Sequence, residues 1–127
     1  MTVQLDVSFF YVGRNGNYDD YLVPKLGETG KKLAERERKI RSQYKDFRML
    51  GCLMLFNVTK AQRLHIESEV RAKMEKYGKH IKNDHFLVAA RAKKYRDLQY
   101  NAFARIALGY AIDCCRREGY AYALKLF

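Results

Sequence analysis

An arginine on an apolar helix face is the first residue of this chain whose position suggests chemistry. In the helix-forming segment after Gly30, Arg36 shares one face with Leu33 and Ile40, at spacings of i, i+3 and i+7. A guanidinium stays charged when partly buried, and its planar fork matches two oxygens of a phosphate or a carboxylate. We therefore expect a partner for Arg36 within the fold. The alternative is a side chain that packs beside Leu33 and reaches water.

Histidines and cysteines do not form a recognisable metal motif. The histidines are His65, His80 and His85. No two of them share the i, i+4 spacing within one predicted helix, and no cysteine lies at ligand spacing, so the sequence predicts no zinc site. The neighbours Cys114 and Cys115 are too close for an ordinary disulfide, which favours a reducing compartment.

The composition favours one basic domain. The chain has 127 residues, 48% of them hydrophobic, which is enough to build a core. Lysine and arginine outnumber aspartate and glutamate by 25 to 14, and the net charge of +11 favours a polyanionic partner. Such a partner is a nucleic acid, either DNA or RNA, or an anionic membrane surface. No apolar run reaches about 18 residues, so we expect a soluble, intracellular protein of the cytoplasm, nucleoid or nucleus.

Alternation of polar and apolar residues predicts a hairpin at the start of the chain. Residues 2–12 have a period of two, which is typical of a strand. Asn15-Gly16 accepts the positive φ angles of a tight turn, so residues 18–26 are predicted to return as a second strand. Pro24 cannot donate to a ladder and therefore predicts an edge position or a bulge.

A helix, a buried strand and a second helix are predicted next. Residues 31–45 are good helix formers, with Thr29 as the N-cap candidate. Residues 47–58 form a continuous apolar run, typical of a central strand that is covered on both faces. Thr59 is predicted to cap a second helix that runs to about residue 77.

The last third of the chain is predicted to be helical. Residues 79–86 are interpreted as a polar connection, and residues 87–118 as one long helix or two, with Gly119 as the stop. The predicted fold is α+β, a small three-stranded antiparallel sheet flanked by helices, with a helical C-terminal extension. We expect residues 1–88 to form the main domain and residues 89–127 to pack on it.

The order of these motifs resembles the GIY-YIG endonuclease superfamily, in its phage and viral branch. Phe9–Tyr11 stands where the first motif would be and Lys25–Gly27 where the second would be. Leu33–Arg36 is similar to the arginine segment that follows. Glu67 matches the helix glutamate, and Asn83–Phe86 is similar to the closing segment. The first motif lacks its Gly and Ile, and a lysine replaces the tyrosine of the second.

The resemblance implies Mg²⁺-dependent hydrolysis of phosphodiester bonds in DNA. Tyr11 or Tyr21, with help from Lys25, would activate water, and Arg36 would clamp the phosphate. Glu67 would hold one Mg²⁺ or Mn²⁺, since Mg²⁺ usually takes only one or two protein carboxylates. One small active site cutting a duplex would nick it or act as a homodimer.

Helical geometry distinguishes two glutamates on the second helix. Glu67 lies roughly 65° from the centre of the apolar stripe and Glu69 roughly 95° from it on the other side. The stripe consists of Ile66, Val70, Met74 and Tyr77. Glu67 is therefore predicted to lie nearer the sheet. Its alternative role is a salt bridge with a neighbouring Lys or Arg.

Structural alternatives also stand for the other candidates. Tyr11 could be a core tyrosine, and Lys25 a solvated strand charge or a phosphate contact. A set of basic residues is predicted to contact nucleic acid, with a solvated helix face as its alternative. This set consists of Lys31, Lys32, Arg91, Lys93, Lys94 and Arg96. The rival functions are a catalytically degenerate nucleic-acid-binding protein and a protein-interaction or inhibitor module.

Overall fold

The computed structural model describes residues 5–16 and 20–127. The strands are β1 (Val7–Arg14), β2 (Tyr21–Leu22), β3 (Pro24–Thr29), β4 (Arg48–Phe56), β5 (Lys79–Ile81), β6 (His85–Ala89) and β7 (Ala121–Leu126). The helices are α1 (Leu33–Arg41), α2 (Lys60–Met74) and α3 (Arg96–Glu118). Residues 2–4 of the predicted first strand and residues 17–19 around the predicted turn lie outside the described part.

The described strands form one antiparallel sheet in the order β2-β6-β3-β1-β4-β7, with β5 beside β6. The α+β class is confirmed. The prediction of three strands is wrong, because the sheet has seven in the described residues. The predicted second strand is divided at Val23, whose N–H donates to the Tyr100 hydroxyl at 2.9 Å instead of to a ladder. Pro24, which has no N–H, begins β3 after this break.

Two strands lie where the sequence predicts a connection and the start of a helix. The predicted connection at 79–86 contains β5, a single 3₁₀ turn (Lys82–Asp84) and the start of β6. The predicted helix at 87–118 begins only at Arg96. Pairing of β6 with β5, β3 and β2 decides the conformation here, because strand preference depends on such neighbours more than on composition.

The C-terminal segment is not entirely helical. Gly119 ends α3 in the left-handed conformation (φ 77°), as predicted. The chain then returns as β7 and pairs with β4, from Ala121 opposite Phe56 to Leu126 opposite Gly51. The predicted helical extension is therefore wrong beyond Gly119. No helix in the described ranges is both long enough and apolar enough to cross a membrane.

The sheet is covered on both faces, as predicted for its central strand. Because successive side chains alternate between faces, Phe10 and Val12 lie in the larger core with α2 and α3, whereas Tyr11 lies in a smaller one under α1. The predicted cap of α2 is confirmed, since Thr59 and Gln62 form a reciprocal capping box. The predicted cap of α1 is wrong: α1 begins after Lys32.

Candidate active site

A tyrosine and an arginine meet on the α1 side of the sheet. Tyr11 lies on β1 between Gly27 of β3 and Cys52 of β4, and it is fully buried. Its ring crosses Gly27 so closely that a Cβ there would lie 2.2 Å from the tyrosine Cζ. Arg36 Nε donates a hydrogen bond to the Tyr11 hydroxyl at 3.2 Å. The arginine on the apolar face of α1 therefore has a partner within the fold.

Burial sets the protonation of Tyr11. Desolvation raises the pKa of this hydroxyl above its usual value, and the hydrogen bond and charge of Arg36 offset only part of the rise. The hydroxyl keeps its proton at neutral pH. Tyr11 can therefore orient the guanidinium and donate a hydrogen bond, but it is not a ready general base.

Lys25 is buried beside this pair, with 8% of its surface exposed. Its ammonium donates to the carbonyl of Leu26 at 3.1 Å and lies 5.8 Å from the centre of the Tyr11 ring. Burial lowers the pKa of Lys25, and the charges of Asp84 and Glu67 act against that change. The reading of Lys25 as a solvated strand charge is therefore wrong.

A pair of carboxyl groups completes the site. Glu67 is on the inner side of α2 and 9% exposed, which agrees with its predicted position nearer the sheet. Its carboxyl is hydrogen-bonded to that of Asp84, which ends the 3₁₀ turn with a left-handed φ of 55°. Burial, then the bond and charge of Asp84, raise the pKa of Glu67 to about 8. At neutral pH Glu67 therefore keeps its proton and donates a hydrogen bond to the ionised Asp84.

Two further residues stabilise the ionised partner. Arg71 Nη1 lies 2.9 Å from Asp84 Oδ1, and His80 Nε2 lies 3.3 Å from the same oxygen. Burial alone would raise the pKa of Asp84, but hydrogen bonds from Glu67 and Arg71 and the Arg71 charge hold it below its usual range. The carboxyl pair thus carries one negative charge and one proton.

Part of this site reaches the surface in a basic groove. Lys25, Arg36 and Asp84 line an open groove of ≈ 440 Å³. A neighbouring groove of ≈ 790 Å³ shares Arg36, Lys39 and Ser42 with it. The basic residues that line the second groove are Lys31, Arg36, Arg38, Lys39, Lys60 and Arg63. A polyanion that follows the second groove would reach Arg36, which also lines the groove of Lys25 and Asp84.

Other predicted site residues lie elsewhere. Tyr21 is 46% exposed on β2 and lines a different depression, which shares Tyr44 with the groove of Lys25 and Arg36. Lys32 is exposed just before α1. The predicted cluster before and at the start of α3 does not line either groove, among the described residues. It consists of Arg91, Lys93, Lys94 and Arg96.

Several residues of the site were not predicted from the sequence. Asp84 lies in the segment that was interpreted as a polar connection. Arg63 of α2 donates to Glu28 of β3 at 2.7 Å, and this ion pair is nearly buried. Arg63 precedes Ile66 by three residues, so it occupies the apolar face of its helix as Arg36 does. The same spacing argument would have identified it.

Comparisons with protein-family models, with curated proteins and with solved structures find no match to this chain. What the groove can do therefore follows from its own residues. Arg36 offers a fork for phosphate oxygens, and Lys25 offers an amine with a lowered pKa. Glu67 and Asp84 offer carboxylate oxygens, the ligands that Mg²⁺ prefers. Burial and Asp84 keep Glu67 protonated. A cation between the two carboxyls would stabilise the ionised form of Glu67, so these residues fit a divalent metal.

Proposed function

We propose that this protein is a Mg²⁺-dependent endonuclease of the GIY-YIG type that hydrolyses phosphodiester bonds in DNA. The observation that supports it is a groove lined by Lys25, Arg36 and Asp84, residues far apart in sequence. Behind the groove, Tyr11 is hydrogen-bonded to Arg36 and Glu67 to Asp84. Together these residues supply what phosphodiester hydrolysis needs: a phosphate clamp, a proton acceptor and oxygens for a metal.

Arg36 would hold the scissile phosphate. Its Nε is engaged by the Tyr11 hydroxyl, which leaves the two terminal nitrogens of the fork for non-bridging phosphate oxygens. These hydrogen bonds strengthen as charge develops on the oxygens in the transition state. Tyr11 acts as a positioning residue, because its buried ring and hydroxyl fix the orientation of the guanidinium.

Lys25 would accept the proton of the attacking water. Burial lowers the pKa of its amine, which increases the neutral fraction that can act as a base near neutral pH. Water attacks phosphorus, the bond to the leaving oxygen breaks, and that oxygen takes a proton from solvent. Lys25 stands where the resemblance would have a tyrosine, so it replaces that residue in this role.

Glu67 and Asp84 would hold Mg²⁺ or Mn²⁺. When bound, the metal would polarise the phosphate and stabilise charge on the oxygens around phosphorus. Both carboxyls would then be ionised, and the proton that Glu67 holds would go to solvent. Arg71 keeps Asp84 in place through its 2.9 Å hydrogen bond.

The basic groove explains why the substrate would be a nucleic acid. Lys31, Arg38, Lys39 and Lys60 line it beside Arg36, and the whole chain has a net charge of +11. Such a surface neutralises phosphates without reading bases, so binding should weaken steeply with salt. Lys32 and the basic cluster around the start of α3 would contact more distant phosphates.

Plasmid cleavage tests the proposal. Supercoiled DNA is incubated with Mg²⁺ or Mn²⁺ and with the wild type, Glu67→Gln or the matched control Glu69→Gln, two residues further along α2. We expect Glu67→Gln to lose at least about 100-fold in rate, because a lost metal ligand costs several kcal/mol of transition-state stabilisation. Glu69→Gln should cleave within about twofold of the wild type. Equal rates for all three proteins would reject the role of Glu67.

A nucleic-acid-binding protein without catalysis is the second candidate. Buried Tyr11 and Glu67 both keep their protons at neutral pH, whereas the groove remains basic. Salt-dependent DNA binding by the wild type, without cleavage in either metal, would favour this function over the nuclease. RNA binding is measured in parallel with a duplex and a single strand of the same length.

A further inference from the structure

A second cluster of side chains lies on the other side of α2, away from Glu67. His65 and Glu69 are four residues apart and so occupy one face of the helix, opposite Cys114 of α3. One nitrogen, one oxygen and one sulfur from these three residues all lie within 4.8 Å of one another. The cluster bridges the two helices that cover the larger core.

The carboxylate of this cluster is already fixed in place. Arg117 donates a short hydrogen bond to Glu69 Oε1. The other oxygen, Oε2, is buried and has no nitrogen or oxygen donor as a partner among the described residues. The guanidinium thus orients Glu69 as hydrogen-bonded partners orient metal ligands, and it leaves one oxygen for the cluster.

We propose that His65, Glu69 and Cys114 bind a zinc ion. Zinc accepts imidazole, carboxylate and thiolate ligands together, whereas Mg²⁺ takes oxygen alone. At zinc–ligand distances of about 2.0–2.3 Å, tetrahedral ligand atoms lie roughly 3.4–3.8 Å apart, so the three atoms need to approach by at most about 1.4 Å. The exposed His65 can supply this movement by rotation.

The site would join α2 to α3 and leave one coordination position for water. On binding, the Cys114 S–H bond breaks, a bond from sulfur to zinc forms and the proton goes to solvent. The proposal does not depend on the nuclease function.

Cobalt spectroscopy tests this site without an activity assay. Co²⁺ is titrated into the full-length protein under a reducing agent, and the absorbance is recorded before and after Zn²⁺ is added. We expect a thiolate-to-cobalt charge-transfer band and tetrahedral visible bands, both abolished by Zn²⁺. The matched pair is Cys114→Ser, which should lose the charge-transfer band, and Cys115→Ser, which should retain it.

A surface variant keeps the test decisive if Cys114→Ser fails to fold. His65 is exposed, so His65→Ala should fold normally and weaken Co²⁺ binding at least about tenfold. Glu67→Gln should retain the thiolate-to-cobalt band, because that band reports only cobalt bound to the Cys114 sulfur, and this separates the site from the nuclease site. The absence of a charge-transfer band, its persistence in Cys114→Ser or unchanged affinity in His65→Ala would overturn the proposal.

Discussion

Two glutamates on α2 have opposite electrostatic environments. Glu67 faces another carboxyl, and burial with the hydrogen bond and charge of Asp84 raises its pKa to about 8. Glu69 faces α3. Burial would raise the pKa of Glu69 as well, but hydrogen bonds from Cys114 and Arg117 and the Arg117 charge lower it overall. The two residues lie roughly 160° apart around the helix axis.

In these two glutamates the neighbouring group, more than the residue type, decides whether the carboxyl is protonated. Glu69 is neutralised by a guanidinium and stays ionised. Glu67 stays protonated because the neighbouring Asp84 is already ionised, and a divalent cation would favour the ionised form of Glu67. The inner face of α2 is therefore the one that we propose for a metal ion and a phosphate.

The largest difference in DNA cleavage is expected between variants of Arg36, which lies beside the carboxyl pair, and of Arg117, which lies beside Glu69. Arg36→Ala should reduce DNA cleavage by about 100- to 1000-fold, because it removes the phosphate clamp. Arg117→Ala, which removes the partner of Glu69, should cleave within about twofold of the wild type. Single-turnover rates at saturating DNA measure both, and near-UV circular dichroism checks the fold. Similar losses in the two variants would show that the regions do not differ in function.

A smaller effect is expected in the pH dependence of stability without divalent metal. The folded pKa of Glu67 lies above its unfolded value, so its stabilising contribution is complete below about pH 4.5 and is lost as the pH rises through about 8. Asp84 has the opposite sign, and its contribution is lost in acid. The wild type should therefore lose about 1–3 kcal/mol between pH 5 and 8.5 relative to Glu67→Gln.

Urea unfolding at several pH values measures this difference. Glu69→Gln is the control of opposite sign. The pKa of Glu69 is lower in the folded protein than in the unfolded chain. Its contribution to stability is therefore present above the unfolded pKa and is lost as the pH falls into the acid range. Curves for the wild type and Glu67→Gln that stay parallel from pH 5 to 8.5 would contradict the shared proton.

Local features of the fold and site could be predicted from the sequence, and contacts between distant segments could not. The side of α2 that Glu67 occupies follows from helix periodicity, and the Thr59 cap follows from residue type. Asp84 depends on a turn after a three-residue strand, which is too short to show a period. The cluster of His65, Glu69 and Cys114 could not be predicted, because Cys114 lies near His65 only where α3 packs on α2.

The strand β7 was not predicted for the same reason. In β7, Tyr122, Leu124 and Leu126 recur every second residue, a period that is typical of a strand. Six residues after a long helix do not reveal that β4 is the partner, since that pairing spans more than half of the chain. The central strands were predictable because each has its own hydrophobic pattern and boundary residues.

Metal binding with its proton release tests the central claim most directly. Mn²⁺ stands in for Mg²⁺, with the free ion measured by electron paramagnetic resonance and the pH followed with an indicator dye near pH 7. The wild type and Glu69→Gln should both bind Mn²⁺, and Mg²⁺ should displace it. Both proteins should release protons on binding, because Glu67 must lose the proton that it shares with Asp84. Glu67→Gln should bind at least about tenfold more weakly and release none. Wild-type affinity in Glu67→Gln would contradict the account.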